Sequence, residues 1–415
     1  MQGHIRKRVH TTKDGRQTVN WYVVVDLARG SDGKRRQKWH GGFRTRKEAE
    51  AERARIVHEL NGGTYLEPNS ITLEEWVRDE WLPTMKGRVK PSTNHSYERN
   101  MELHVLPRLG RSQLRQLTPT ALNRVYSELL AEGHQTQKGG LSAKTVRYIH
   151  TIIHKALADA VDAGLVGTNA AERAKPPRPR ATQPAEISFW EPEELSDFLK
   201  SASGHRLEAA WHLAAMTGMR RGEILGLRWQ DVDLDAARIS VRQALVSVGY
   251  EVLTSSPKNH QARVIDLDPG TVGQLRHHRE RQLQDRCEWG NEYEDQDLVF
   301  CLENGAPIHP HSLSQAFERL VEKSELPRIR LHDLRHTHAT IAVRAGVPVK
   351  VISERLGHES PAFTLKQYAH VIPGMQAEAA LMVAQLIQDQ QGARHQLGGQ
   401  RHEASEGGHC ETRRE

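Results

Sequence analysis

Along this 415-residue chain the spacing of apolar positions changes from stretch to stretch, and each change marks a boundary. Polar and apolar residues alternate at the start. Segments Ile5–Thr11, Trp21–Leu27 and Arg35–Trp39 are predicted strands, the second rich in β-branched and aromatic residues, with turns at Lys13-Asp14-Gly15 and Ser31-Asp32-Gly33 between them. A helix is expected from Thr45 to Leu60, stopped by Asn61-Gly62-Gly63, which completes a small unit over residues 1–65. From about residue 70 the period becomes helical. Thr72, Ser92, Thr118 and Ser142 are predicted N-caps, and Pro119 holds the favoured first helical position after Thr118. The clearest helix runs from Ser142 to Ala163: Val146, Ile149, Ile153, Leu157 and Val161 recur at steps of three and four, and Gly164 closes it. Four helices over residues 70–172 predict a bundle, an architecture that carries no function by itself.

The stretch KPPRPRATQP is too rich in proline for a helix or a central strand, so residues 173–186 are predicted to form an extended linker. A second body, residues 187–390, should open with a helix entered through Trp190-Glu191-Pro192. It should continue with Leu207–Met216, turn at Thr217-Gly218 and restart as a helix at Arg221. Short strands are expected between Ala237 and Leu267, and mostly helices after them. The polar, low-complexity stretch 391–415 predicts a disordered tail. The expected fold class is multidomain, mainly α with small β-sheets.

Composition narrows the class. No apolar run approaches the ~20 residues of a membrane helix, and the opening MQGHIRKRVH lacks the apolar core of a signal peptide, so neither membrane insertion nor secretion is expected. Cys287, Cys301 and Cys410 are too few and too scattered for a disulfide framework or a four-cysteine zinc site, which suits a reducing cytosol. The formal charge is +6, but its placement says more. Residues 1–46 carry 12 Lys/Arg against three Asp, a local +9, and the remaining residues sum to −3. A small basic head on a nearly neutral body is the footprint of a polyanion-binding module, with nucleic acid the first choice and a solvated basic tail the plain alternative. A three-stranded sheet can enter a DNA groove, and Arg6, Arg8, Arg35 and Lys38 lie on strands from which they could reach phosphates or bases.

Reactive side chains gather in three segments of the second body. In TGMRRGEILGLRW, Gly218 ends one helix and Arg220 and Arg221 begin the next, where a guanidinium can face a phosphate with a bidentate fork. An ion pair of Arg220 with Glu223 is the plainer reading. In RLHDLRHTHAT, His332 and Arg335 are three apart and share a helical face. His332 and His336 stand four apart like half of a zinc site, but the metalloprotease pattern needs Glu after the first His and Asp333 stands there, so no metal site is expected. In LGHESPAFTLKQYAHV, His358 precedes Tyr368 by ten residues. A lone tyrosine is most simply a core residue, and with a pKa of about 10 it is a weak nucleophile unless cations fix an electrophilic phosphate beside it.

In their order, TGMRRGEILGL, SPKNHQARVIDL, LHDLRHTHAT and LGHESPAFTLKQYAH closely resemble the tyrosine recombinase (phage integrase) family. The helical stretch with PSTNHSY, ALNRVYSELL and LSAKTVRYIHTIIHKALADAV is similar to that family's core-binding domain, and the basic head resembles the arm-binding domain of mobile-element integrases. The resemblance implies a β-rich arm-binding domain, a helical core-binding bundle and a mixed α+β catalytic domain. It implies that Arg220 is the first catalytic arginine, that His332 and Arg335 fill the family's His-x-x-Arg, and that His358 fills the later His/Trp position. Tyr368 takes the nucleophile position, Lys258 in SSPKNHQA matches the hairpin lysine, and Glu223 matches a supporting acid near the first arginine.

The implied chemistry follows from those residue types. Tyr368 would attack a backbone phosphorus and displace the 5′-hydroxyl, leaving a 3′-phosphotyrosine. Arg220, Arg335 and His358 would stabilise the transition-state charge, His332 would accept the tyrosyl proton or bond the phosphoryl oxygen, and Lys258 would protonate the leaving oxygen. One phosphoester replaces another, so neither a metal, ATP nor another cofactor is called for. The resemblance implies double-stranded DNA attachment sites as partners, a homotetramer on synapsed DNA, an excision factor and a host DNA-bending protein as accessory partners, and a place on DNA in the bacterial cytosol. A topoisomerase-like nicking enzyme, which shares this logic, and a non-catalytic DNA-binding regulator are the competing readings.

Overall fold

A computed structural model describes residues 3–11, 17–27, 36–62, 65, 69–133, 139–178, 188–256, 262–368, 380, 381 and 383–385. The expected tail, most of the expected linker, Arg35, Lys258 and Cys410 lie outside these residues. The chain divides into two compact units, Met1–Thr182 and Gln183–Glu415.

In the first unit, β1 (His4–Thr11), β2 (Gln17–Leu27) and β3 (Arg36–Phe43) form an antiparallel sheet in sequence order, and α1 (Arg46–Asn61) packs on one face. Strict alternation sends Val23 and Val25 toward Ala49 and Ile56 of the helix. Thr45 caps α1 by accepting the Glu48 amide at 3.2 Å. Strand β3 runs past Trp39, where the expected strand ended, through Gly41 and Gly42. The register shifts between Trp21 and Tyr22 opposite them, and a Cβ on Gly41 (φ +137°) would stand 2.7 Å from the Trp21 carbonyl. The two glycines form a bulge within the strand.

Four helices follow: α2 (residues 73–85), α3 (residues 91–109), α4 (Pro119–Glu132) and α5 (Ala143–Asp162). Thr72, Thr118 and Ser142 cap helices as expected. Ser92 does not. Pro91, with its fixed φ and no N–H to leave unbonded, takes the first helical position and Lys90 becomes the cap. Helices α2 and α3 each contain one wide turn, Trp76–Trp81 and Met101–Val105, directly before Leu82-Pro83 and Leu106-Pro107. A proline ring cannot sit in an unbroken α-helical ladder, and an i→i+5 turn makes room for it. The buried stripe of α5, Val146 to Ala160, faces the two tryptophans of α2, whose indole N–H groups bond Ala156 O (Trp76, 3.0 Å) and Asp159 (Trp81, 2.7 Å).

The second unit opens with α6 (Pro192–Ser201), α7 (Glu208–Thr217) and α8 (Arg221–Leu225). Five short strands follow: β4 (Val232–Asp233), β5 (Arg238–Val241), β6 (Ala244–Val248), β7 (Glu251–Ser255) and β8 (Arg263–Asp266). They make a sheet of order β4-β5-β8 and a separate β6-β7 hairpin. Then come α9 (Pro269–Trp289), α10 (Pro310–Lys323), α11 (Asp333–Arg344), α12 (Val349–Leu356) and α13 (Pro361–Tyr368). Trp190, Phe198, Trp211 and Phe317 pack ring to ring at the centre of the core, and the Trp190 indole donates to Pro327 O at 2.8 Å. No helix of the described residues is long and apolar enough to cross a membrane.

Candidate active site

Two helix ends build the pocket. Helix α7 stops at Gly218 (φ +63°) and α12 at Gly357 (φ +65°), both in the left-handed region where a side chain is strained. Neither has room for one: a Cβ on Gly218 would lie 2.5 Å from Leu356, and one on Gly357 would lie 2.9 Å from the Arg263 guanidinium. Their carbonyls, freed by the turns, receive the two arginines that the sequence singles out. Arg335 Nη1 donates to Gly218 O at 2.8 Å, and Arg220 Nη2 donates to Gly357 O at 2.9 Å. His338 Nδ1, 3.0 Å from Ala215 O, pins α11 against α7, and Arg355 donates to Met216 O at 3.0 Å and Asp266 O at 2.9 Å.

Glu223 lies beneath the arginines, 2% exposed. It accepts from the Arg220 amide (3.0 Å) and guanidinium (2.9 Å), and bidentately from Arg263 on β8 (2.6 and 3.1 Å). Burial alone would raise its pKa, but Arg263 and then Arg220 hold it down at about 2. Arg263 also donates to Arg355 O at 3.0 Å, tying the carboxylate to the end of α12. Two guanidiniums, Arg220 and Arg263, thus bond one carboxylate, and Arg335 lies within its field. Arg335 is buried, and burial followed by the charge of Arg220 pulls its pKa down to about 9. Its Nη2 is buried with no acceptor among the described residues. A buried donor without a partner, in a pocket of excess positive charge, is built for an anion.

Tyr368 ends α13 with its ring buried, and burial pushes its pKa up to about 12 against the pull of Arg335. Its hydroxyl lies 2.8 Å from His336 Nδ1. His336 in turn meets His332 edge-on, ring centroids 5.3 Å apart. His358 Nδ1 pairs with Thr364 on α13 at 2.7 Å. Burial first, then nearby positive charge, lowers His358 to about 3; burial, His336 and Arg335 lower His332 to about 4. Burial lowers His336 below its ordinary value as well, so the neutral form of all three imidazoles is favoured near pH 7. Among the described residues no cluster of three or more His, Cys, Asp or Glu could hold a metal.

The structure thus brings Arg220, Glu223, His332, Arg335, His358 and Tyr368 into one neighbourhood; Lys258 lies outside the described residues. In the head, Arg6 and Arg8 share the open face of the sheet with Tyr22 and Trp39, Arg8 standing 4.3 Å over the Trp39 ring and Arg6 5.6 Å from it. Lys38 pairs in register with Val25 and lies on the opposite, helix-covered side. It does not join Arg6 and Arg8, because the pleat alternates and Trp39 already faces outward. Two site residues escaped the sequence reading. Arg263 had a signal: two positions before buried Ile265 on the same strand, it must point inward beside it. His336 was weighed only as half of a metal site, and its tyrosine partner is 32 residues away in the chain.

Comparison with known proteins bears on this geometry. The profile of the phage integrase family matches residues 187–374, that of the arm DNA-binding domain residues 8–60, and that of the phage integrase N-terminal SAM-like domain residues 72–130. The chain carries the phage integrase domain of the tyrosine recombinases. A tyrosine recombinase XerC-like protein of Caldanaerobacter subterraneus subsp. tengcongensis is 27% identical over 90% of this integrase and 97% of its own length. The ICEBs1 integrase of Bacillus subtilis is 25% identical, with 81% and 89% covered. Among solved structures, the Tn1549 transposon integrase in complex with a circular intermediate DNA shares the fold over 75% of this integrase and all of that chain, at TM-score 0.61 and 21% identity. A lambda integrase dimer bound to a core site covers 87% and 93%, at TM-score 0.53 and 20% identity.

Proposed function

We propose that this integrase cuts and rejoins double-stranded DNA at attachment sites through a 3′-phosphotyrosine on Tyr368, integrating and excising a phage or other mobile element. The observation that carries the reading is the buried Nη2 of Arg335, without a partner among the described residues, in the arginine pocket that also acts on Tyr368. A phosphodiester in that pocket would accept from Arg335 and Arg220 and offset the charge that three guanidiniums leave in excess of Glu223. Negative charge gained by the phosphoryl oxygens in the transition state strengthens those bonds, which is how fixed donors accelerate transfer. The Thr364 hydroxyl, 2.7 Å from Nδ1, can donate to it, and neutral His358 then keeps its ring proton on Nε2 as a third donor. His332 completes the phosphate's surroundings, and Lys258 protonates the leaving 5′-oxygen.

The open face of the head sheet supports the DNA reading at a second place. Arg8 and Arg6, held by Trp39 and Tyr22, are presented outward instead of collapsing onto acidic neighbours. Four strands must be cut to exchange two duplexes, so four copies act together on synapsed DNA, with an excision factor and a host DNA-bending protein as accessory partners.

The test uses duplexes selected from a random library by binding to the full chain. Incubated in pairs with the protein, they should yield joined products with exchanged flanks, and Tyr368→Phe should yield none. Relaxation of supercoiled plasmid without exchanged flanks would indicate a topoisomerase instead, and binding without either product a regulator.

A further inference from the structure

The contact between Tyr368 and His336 leads beyond this reading, on which it rests through Tyr368 as nucleophile. We propose that His336 is the general base that takes the Tyr368 proton during cleavage and returns it during rejoining, a role that residue types alone give to His332. Nδ1 stands 2.8 Å from the phenol oxygen, inside the reach a base needs, and among the described residues no other side chain bonds that hydroxyl. The rings lie 5.9 Å apart at 56°, which leaves the Nδ1 lone pair free to point at the oxygen when the ring proton is on Nε2. His332 contacts the His336 ring instead. A phenol pushed up to about 12 does not ionise near neutrality, so the proton needs an acceptor at the moment of attack.

The groups that face His336 favour a neutral acceptor. Tyr368 and His358 face it from α13 and the loop before it, His332, Asp333 and Arg335 from its own helix and helix start, and Arg330 from the preceding segment. Burial lowers its pKa first; Asp333 opposes this, while Arg335 and Arg330 add to it. In the cleavage step the Tyr368 oxygen bonds phosphorus as its O–H breaks, and the proton passes to Nδ1. The bond from phosphorus to the 5′-oxygen breaks, and that oxygen takes a proton from Lys258. One proton moves within the protein, from tyrosine to histidine, and one passes from the lysine to the DNA. Rejoining reverses both transfers: the attacking 5′-hydroxyl returns its proton to the lysine, and tyrosine departs with the proton from His336.

The test is single-turnover cleavage of a nicked duplex by the full chain from about pH 5 to 9, spanning the ordinary histidine range. Wild type should slow on the acid side as His336 protonates. His336→Gln keeps a hydrogen-bonding group but cannot take a proton, so it should cleave on the order of 10²–10³-fold more slowly and lose that acid limb. His332→Gln should retain it. A duplex with sulfur in place of the bridging 5′-oxygen, whose leaving group needs no acid, should rescue Lys258→Ala and not His336→Gln. A fluorinated tyrosine at 368, which gives up its proton more readily, should narrow the His336→Gln defect, an effect a merely structural role would not produce. Nitrogen-15 NMR of wild-type histidines tests the same claim without a variant: His336 should carry its proton on Nε2. Cleavage by His336→Gln within about threefold of wild type with an unchanged pH profile, rescue by the sulfur substrate, or a proton found on Nδ1 overturns the assignment. Tyr368→Phe is run alongside: an adduct from it overturns the nucleophile itself, whereas its absence beside an unchanged His336→Gln profile overturns only the base.

Discussion

Replacing Glu223 by Gln keeps the shape of the side chain and removes the charge that two arginines grip. Its carboxyl is held at about 2 against an ordinary value of 4.5, despite burial that acts the other way. At about 1.4 kcal/mol per pH unit, that difference corresponds to roughly 3 kcal/mol of stability in the catalytic body. Breaking a buried ion pair by removing one partner costs about 3–5 kcal/mol, the same size. Because the folded pKa is depressed, the contribution is complete above the unfolded value and fades as the pH falls through it toward about 2. Urea unfolding, followed by hydrogen exchange of peptides from α6 to α11, should therefore show Glu223→Gln less stable by roughly 3 kcal/mol at neutral pH. The gap should close progressively below about pH 4, where the unfolded wild type takes up a proton that the folded carboxyl refuses until about 2. Cleavage should fall with it, since Arg220 loses its anchor. A neutral-pH gap under about 1 kcal/mol, the range of an exposed pair, or a gap that persists unchanged in acid, would refute the clamp.

Three further outcomes follow from the same geometry. Arg335→Lys should fold yet cleave on the order of 10²–10³-fold more slowly in single turnover, because an ammonium cannot bond Gly218 O and a phosphate in one plane. Gly357→Ala, at φ +65° and 2.9 Å from the Arg263 guanidinium, should lower thermal stability by about 1–3 kcal/mol and slow cleavage, read by calorimetry and the same assay. Deleting residues 1–65 should flatten the slope of log affinity against log salt by about 0.9 for each lost phosphate contact while a short crossover duplex is still cleaved; an unchanged slope would make the head a solvated appendage.

Much of the architecture was legible because local rules and tertiary packing agree. The caps at Thr72, Thr118 and Ser142, the stripe of α5 and the helix ends at Gly164 and Gly218 all follow from patterns within a few residues. Misreadings occurred where two local preferences competed. Pro91 outranked Ser92 at a helix start, and β3 ran on past the expected end at Trp39 through a bulge at Gly41-Gly42. The wide turns before Pro83 and Pro107 have no signature in apolar spacing, since they shift a helix face without interrupting it. In the site, the residue types and their order pointed to Arg220, His332, Arg335, His358 and Tyr368. Which imidazole touches the tyrosine depends on how α13 returns to α11, and that lies in the tertiary packing of Thr364 and Tyr368. Lys38 shows the same limit on a sheet: its charge was legible, but its face was fixed only once Trp39 was seen on the outer side.

If Tyr368 is the nucleophile, it becomes covalently bonded to DNA in the arginine pocket. The most direct measurement is mass spectrometry of the adduct trapped on a nicked duplex, after digestion of both protein and DNA. One modified peptide, containing Tyr368, should carry a 3′-phosphonucleotide on that residue, and Tyr368→Phe should give no adduct. A nucleotide found on another residue, or the same adduct yield from Tyr368→Phe, would contradict that role.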